Sequence, residues 1–428
     1  MNRVKSLPKY ILKSELLRSA SVLAIGTLIA QAIPILLQPF LRRYFAPEEF
    51  GVYSVYSSVI GILMVVSSLR YEQTVILPKL DADSSIIVSL SIIISVTTSS
   101  LLFLFVVFFK YQIAIFLNID ESKAYIDLFI PLGTFLFSTF QVFIFWLIRK
   151  KAFLAISGNK LSRRIVEGFS QSAFALNSFS RGLVFGDILG QLVNVVAAFF
   201  QSLRKGFSFG YFSSRRAILL AKKYSEFPKY NLITSAMSAS SNLLPVIFIN
   251  RFFSAHQAGF FDLSKLMLSI PLALVATSFS SVILQRGSER FRANQSVVKD
   301  LMPILIITLL VAIAEIGIII LFGVDIFTLF FGETWRISGE ISKLLVWPFA
   351  INFIASSFTS IFVALNRIKL QSLWQVLYFT AILSLTLFKS IGFIPFLRLY
   401  VAIEVLCNIL LIGLLIFIVI SYERSVKK

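Results

Sequence analysis

The sequence predicts an all-α polytopic membrane protein with about twelve transmembrane helices, in two six-helix lobes related by a pseudo-twofold along the membrane normal. Three observations predict it. Of 428 residues, 57% are hydrophobic and 14% charged, with a mean hydropathy of +0.87, against roughly 25% charged residues in a soluble globular protein. Long apolar runs recur along the chain, and 29 of its 40 Lys and Arg fall on alternate connections between them. A short motif returns after 208 residues.

A membrane span needs about 20 mainly apolar residues, because a bilayer core is about 30 Å thick and a helix rises about 1.5 Å per residue. By that measure spans are predicted near 17–40, 51–69, 84–109, 124–148, 164–182, 184–203, 230–250, 259–284, 300–323, 340–365, 371–388 and 399–421. The fifth and sixth carry Glu167, Arg181 and Asp187; dropping both leaves ten spans and preserves every other orientation. The basic segment before the first span precedes a full-length apolar run, so an uncleaved first span is expected rather than a signal peptide.

Basic residues concentrate in cytoplasmic connections. The segments through Arg18 and at 70–83, 149–164, 204–229, 285–300, 366–371 and the tail hold 29 Lys and Arg, while the alternate connections and Lys265 hold 11. Both termini are therefore expected in the cytoplasm. The net charge of +19 also fits a polyanionic partner, but its basic residues sit beside apolar runs, so they are read as anchors at a membrane face and no nucleic-acid partner is expected.

The segment RYFAPEEFGVYSV from Arg43 aligns with RFFSAHQAGFFDL from Arg251, matching Arg43 with Arg251, Phe45 with Phe253, Gly51 with Gly259 and Tyr53 with Phe261. Six spans per half is an even number, so both halves enter the membrane in the same direction, as in parallel-repeat transporters. The expected organisation is an N-terminal lobe over 1–203, a basic connection over 204–229 and a C-terminal lobe over 230–428.

Polar groups within spans mark candidate functional positions, since a central charge costs about 2.5–3.5 kcal/mol on insertion scales and usually faces a bundle interior or a wet cavity. Gln31, Pro34 and Gln38 share one face of the first span, as do Ser235, Ser238, Asn242 and Pro245 of the seventh. Asp262 and Lys265 stand three residues apart in the eighth and can neutralise one another. Arg70 and Glu72 close the second span, within snorkelling reach of the interface. Glu315 and Glu404 look isolated in the ninth and twelfth. Cys407 and His256 are the lone residues of their types, so no disulfide within the chain, His-rich metal cluster or thiol–imidazole pair is expected. Glu48 and Glu49 in the first outside connection allow an alternative reading as a membrane glycosyltransferase or polymerase, although such enzymes generally need larger outside loops and Glu48 suits a helix start after Pro47.

The stretch LRRYFAPEEFGVYSVYSS, followed by SLRYEQTVILPKLD, resembles the start of bacterial O-antigen-type polysaccharide repeat-unit flippases, of the multidrug/oligosaccharidyl-lipid/polysaccharide exporter superfamily. The motif covers about the first 85 residues; the rest agrees in span count and topology, and Thr74 departs from the small residue usual there. The resemblance implies two lobes around a V-shaped cavity that opens alternately to the two sides of the inner membrane. It implies a cargo of short oligosaccharide joined through diphosphate to a polyprenol, for lipopolysaccharide-type surface assembly, with a polysaccharide polymerase and chain-length machinery as partners. Spans one, two, seven and eight line the cavity in such folds. Since a diphosphate entering low dielectric needs positive charge beside it, Lys265, Arg43, Arg251 and Arg70 are the candidates to meet it, with Asp262, Glu72, Gln31, Gln38 and Asn242 as further lining. No cofactor is implied; the coupling ion, H+ or Na+, stays open. Drug exporters of the superfamily are the alternative, but they often hold the coupling ion on an acidic residue in the first span, and no Asp or Glu lies between Arg18 and Glu48.

Cysteine labelling tests the charge assignment. A single cysteine placed in 204–229, in a chain with Cys407 replaced, should resist an impermeant thiol reagent in intact cells and react once the membrane is opened. Labelling in intact cells would reverse the topology.

Overall fold

Helix formation here follows from solvent: in hydrocarbon every backbone N–H and C=O must be paired within the segment, which an apolar run satisfies as a helix. The computed structural model describes residues 15–118 and 125–426. Among these, twelve long helices follow one another: α1 (Glu15–Tyr44), α2 (Pro47–Ser67), α3 (Asp81–Phe108), α4 (Tyr125–Arg149), α5 (Phe153–Leu176), α6 (Gly182–Arg204), α7 (Leu232–Phe252), α8 (Ala255–Arg292), α9 (Val298–Phe331), α10 (Arg336–Phe358), α11 (Ile368–Leu383) and α12 (Phe393–Val426). Ten regions, covering all but α1 and α5, are long and apolar enough to cross a membrane. Of the basic residues counted by side, Arg3, Lys5, Lys9, Lys13, Lys123, Lys427 and Lys428 lie outside the described residues.

The order of the predicted spans is reproduced, with one substantial correction. The fifth, expected near 164–182, is Phe153–Leu176, so Lys160, Arg163 and Arg164 belong to a helix and not to a connection. The two arginines fit there because they are paired, Arg163 with Asp187 of α6 at 3.1 Å and Arg164 with Glu167 at 2.9 Å, while Lys160 donates to the Thr27 hydroxyl at 3.1 Å. The 208-residue offset recurs in the helices themselves. It separates the end of α1 at Tyr44 from that of α7 at Phe252, and the start of α2 at Pro47 from that of α8 at Ala255.

The chain divides into two compact units, Met1–Glu49 with Tyr56–Ala239, and Phe50–Val55 with Ser240–Lys428. Both divisions fall inside helices, α2 and α7. In the first unit, α3 presents buried Ser84, Ser85, Ser89, Ser91, Ser95 and Ser99, and Ser95 lies 2.6 Å from Ser138 of α4, hydroxyl to hydroxyl; small polar residues let membrane helices approach closely. Below that seam an apolar cluster gathers Ile86, Val142, Phe143 and Trp146 with Phe207 and Leu220 from the 204–229 connection. The connection thus docks on the first unit: Tyr71 donates to the Ala221 carbonyl at 3.0 Å, and Arg216 pairs with Asp83 at 2.7 Å.

In the second unit Phe358, Phe362, Leu411, Leu415 and Ile418 form the apolar centre between α10 and α12. Trp335, 1% exposed, receives Phe50 and Phe260 edge-on, each 5.7 Å away. Here the Phe50–Val55 stretch of α2, which belongs to this unit, packs against α8 through the two glycines of the repeat. A Cβ on Gly51 would fall 1.7 Å from the Ala255 carbonyl oxygen and 3.0 Å from the Gly259 nitrogen.

Those contacts are backbone and cannot rotate away, so Gly51→Ala should lower thermal stability in detergent by at least the ~1–3 kcal/mol of an overpacked core. Gly317→Ala, whose Cβ would meet nothing within 4 Å, should leave stability equal or raise it, as alanine in a helix favours. Equal melting of the two variants would refute the close approach.

Candidate functional site

The second unit gathers polar residues from five helices around one cavity of about 40 Å³, lined by Asn242 of α7, Lys265 of α8, Asn352 of α10, Tyr378 of α11, and Tyr400 and Glu404 of α12, with Pro348 and Phe349. The Lys265 ammonium donates to the Asn242 backbone carbonyl. Tyr378 donates its hydroxyl to Glu404 Oε1 at 2.7 Å, and Tyr400 lines the same cavity. Asn408, one turn further on, donates to the Glu404 carbonyl at 2.9 Å and to Oε2 at 3.3 Å, and receives Asn352 at 3.0 Å. Trp374 stacks on Tyr378 at 5.1 Å and fixes its ring.

Glu404, read from the sequence as isolated, is therefore held by Tyr378 and Asn408, at 7% exposed. It lines the same cavity as Lys265. The helical spacing of Asp262 and Lys265 suggested a local pair; the cavity adds a carboxylate from a helix far away in sequence. Glu315 on α9 keeps its isolated character, with Oε2 buried and unbonded. Tyr378, Tyr400, Asn352 and Asn408 were missed by sequence reasoning, and Glu404 with Asn408 at i, i+4 was the signal available.

The candidates of the first unit form a separate group. Arg70 stands in the left-handed backbone region, φ 65°, directly after Leu69 at φ 51°. From there its guanidinium donates to Asn231 at 3.1 Å and to Ser235 at 2.8 Å, and lies 3.5 Å from Glu72. Glu72 is 3% exposed and accepts from the Ser68 hydroxyl. Burial pushes its carboxyl up from the ordinary range, against the opposing pull of Ser68 and Arg70. Arg43 and Arg251 occupy the last turns of α1 and α7, outside the cavity lining. Gln38 accepts from Arg42 at 2.8 Å, and Gln31 is half-buried on α1.

Size decides what the cavity can do as it stands. A drug-sized ligand fills about 300–1,000 Å³, so about 40 Å³ admits a few waters or an ion. A larger anionic headgroup could reach Lys265 only after the lining helices part.

A family model described as polysaccharide biosynthesis protein matches residues 40–340. No curated protein matches the chain by sequence. Among solved structures, a multidrug resistance MATE family transporter of the MOP superfamily, inward-facing, superposes with a TM-score of 0.72 at 12% identity, over 94% of this chain and 99% of that one. The lipid II flippase MurJ in an inward closed conformation follows with a TM-score of 0.70 at 14% identity, over 94% and 91%. A MOP superfamily transporter from Pyrococcus furiosus superposes with a TM-score of 0.60 at 12% identity, over 96% of each chain. At these identities the likeness is one of fold.

A carboxyl raised in the folded state favours folding at low pH; that stabilisation is complete below the unfolded value and is lost as pH rises through the folded one. Melting curves in detergent should therefore show the wild type losing stability relative to Glu72→Gln as pH rises from acid to neutral. A difference independent of pH would contradict the burial of a titrating Glu72.

Proposed function

Because the chain belongs to the polysaccharide biosynthesis protein family, we propose that it flips polyprenyl-diphosphate-linked oligosaccharide repeat units across the bacterial plasma membrane by alternating access, for surface polysaccharide assembly. The observation that carries the reading is the coincidence of this family match with a fold shared by transporters and by a flippase of lipid II. In such a protein the work is transport and not bond making. The polyprenol remains in lipid, while the charged head must cross a layer in which an unpaired ion is very costly.

Lys265 is the group we assign to the diphosphate. It stands on α8 one turn after Asp262, and it lines the cavity. Its ammonium rests on a carbonyl oxygen, a partner that a phosphate oxygen can replace with a stronger, charge-assisted bond. Arg70, held by neutral Asn231 and Ser235, is the second candidate on the same reasoning. In this reading both termini lie in the cytoplasm, and polymerase and chain-length machinery act on the product.

Multidrug export is the second reading, supported by the MATE family fold. Cargo separates the two. Reconstituted protein should move a lipid-linked oligosaccharide to the far leaflet and leave cationic drugs untransported; the reverse result would establish the exporter.

Lys265→Ala should reduce surface polysaccharide about ten- to a hundredfold, the equivalent of one hydrogen bond to a charged group, with membrane levels of the protein unchanged. Lys265→Arg should restore part of it. Recovery in the double variant Asp262→Ala, Lys265→Ala would show that the charge is structural and overturn the assignment.

A further inference from the structure

We propose that residues 207–224, including the short helix Ser214–Lys223, form a docking surface for anionic phospholipid headgroups at the membrane face where α2, α3, α6 and α7 end. This inference does not depend on what the protein carries.

Placement comes first. The α6 span closes at Arg204, and the next apolar span begins at Phe227, so the connection runs between two span ends on one face of the bilayer. It is pinned to that level from two further sides. Arg216 binds Asp83 in the first turn of α3, and Tyr71, just beyond the end of α2, holds the Ala221 carbonyl. Ala217 and Leu220 turn into the apolar cluster beneath, with Phe207 lying edge-on to Trp146 at 5.6 Å. One face of the short helix is thereby fixed, and the opposite face is left outward.

The composition of that outward face is unusual for water. Ile218 is 57% and Leu219 66% exposed, and Phe209, Tyr211 and Phe212 beside them range from 38% to 53%. Interleaved with these are Arg215, Lys222 and Lys223, all exposed; around the helix axis Lys222 and Arg215 fall between Ile218 and Leu219. Over 204–229 seven Lys and Arg face a single acidic residue, Glu226. A cytosolic polyanion would satisfy the cations and leave the apolar side chains wet. The headgroup layer satisfies both at once: aromatic and aliphatic side chains enter the acyl boundary, and long basic side chains reach the phosphates. Basic residues near such a surface prefer anionic over zwitterionic lipid.

The test uses the full-length protein in nanodiscs, by hydrogen exchange of the amides of 207–224. Discs of phosphatidylcholine are compared with discs containing phosphatidylglycerol. Exchange in the segment should slow in the anionic discs, and the triple variant Arg215→Gln, Lys222→Gln, Lys223→Gln should lose roughly fivefold of that protection per charge removed. Ile218→Ser with Leu219→Ser should raise exchange in both kinds of disc. Unchanged exchange in α3 checks that each variant is folded. Equal protection of the wild type in both discs would overturn the proposal without any variant, as would anionic protection that survives the triple change. Equivalent protection by inorganic phosphate in phosphatidylcholine discs would assign the surface to a soluble anion, and so would also overturn it.

Discussion

A charge carried into a bilayer needs an opposite charge or several dipoles beside it, and the supply of those partners determines how each unit of this chain is built. The clearest case is the α5–α6 pair. Arg163 reaches Asp187 and Glu167, Arg164 reaches Glu167, and Arg163 also lies 4.6 Å over the Phe137 ring. Two cations and a carboxylate, at about 2.5–3.5 kcal/mol each for exposed central charges, would keep α5 out of hydrocarbon alone, whereas α6, which brings Asp187, is apolar enough to span. Together they cancel, provided the helices come close. Gly190 supplies that closeness, since a Cβ there would fall 2.9 Å from the Arg163 carbonyl oxygen and 2.8 Å from the Glu167 Cβ. The more polar of the two, α5, is thus accommodated by its pairing with α6.

The same physics sets what could be read from the chain. Apolar runs are legible because span length and hydropathy are local properties, and the order of the twelve helices follows from them. The start of α5 was not, because Lys160, Arg163 and Arg164 look like a cytoplasmic connection until Asp187, on the next helix, is known to meet them. The site shows the same division. Arg70 with Glu72, and Lys265 beside Asp262, are local groupings visible in the sequence. That Tyr378 would bond Glu404, or that Glu404 would line one cavity with Lys265 from four helices away, depends on packing that no spacing encodes. Gly51 and Gly259 fall between these cases: their equivalence is legible as a repeat, their mutual contact only as structure.

Arg70 illustrates how a constraint can be local and still reach far along the chain. A non-glycine residue in the left-handed region costs of order 1–2 kcal/mol, and here two follow in succession. The turn persists because Arg70 gains partners it could not reach otherwise, Asn231 and Ser235 at the foot of α7. That foot is itself irregular. A π-helical turn over Phe227–Asn231, with Pro228 at its start, leads into α7, and such turns re-aim side chains relative to a regular helix. Asn231 is delivered to Arg70 by this irregularity.

Two kinds of half-buried cation therefore coexist. Arg163 and Arg164 each hold a carboxylate in direct contact, and removing either partner would strand the other, which is the behaviour of structural charge. Lys265 and Arg70 are different: their closest bonds run to a carbonyl, an amide oxygen and a hydroxyl, while Glu404 and Glu72 balance them from a greater distance or through weaker contact. Neutral partners can be exchanged for an incoming anion without leaving a bare carboxylate in the core. For the flipping proposed above, a cation held by dipoles is better suited to meeting a charged headgroup than one already locked in an ion pair.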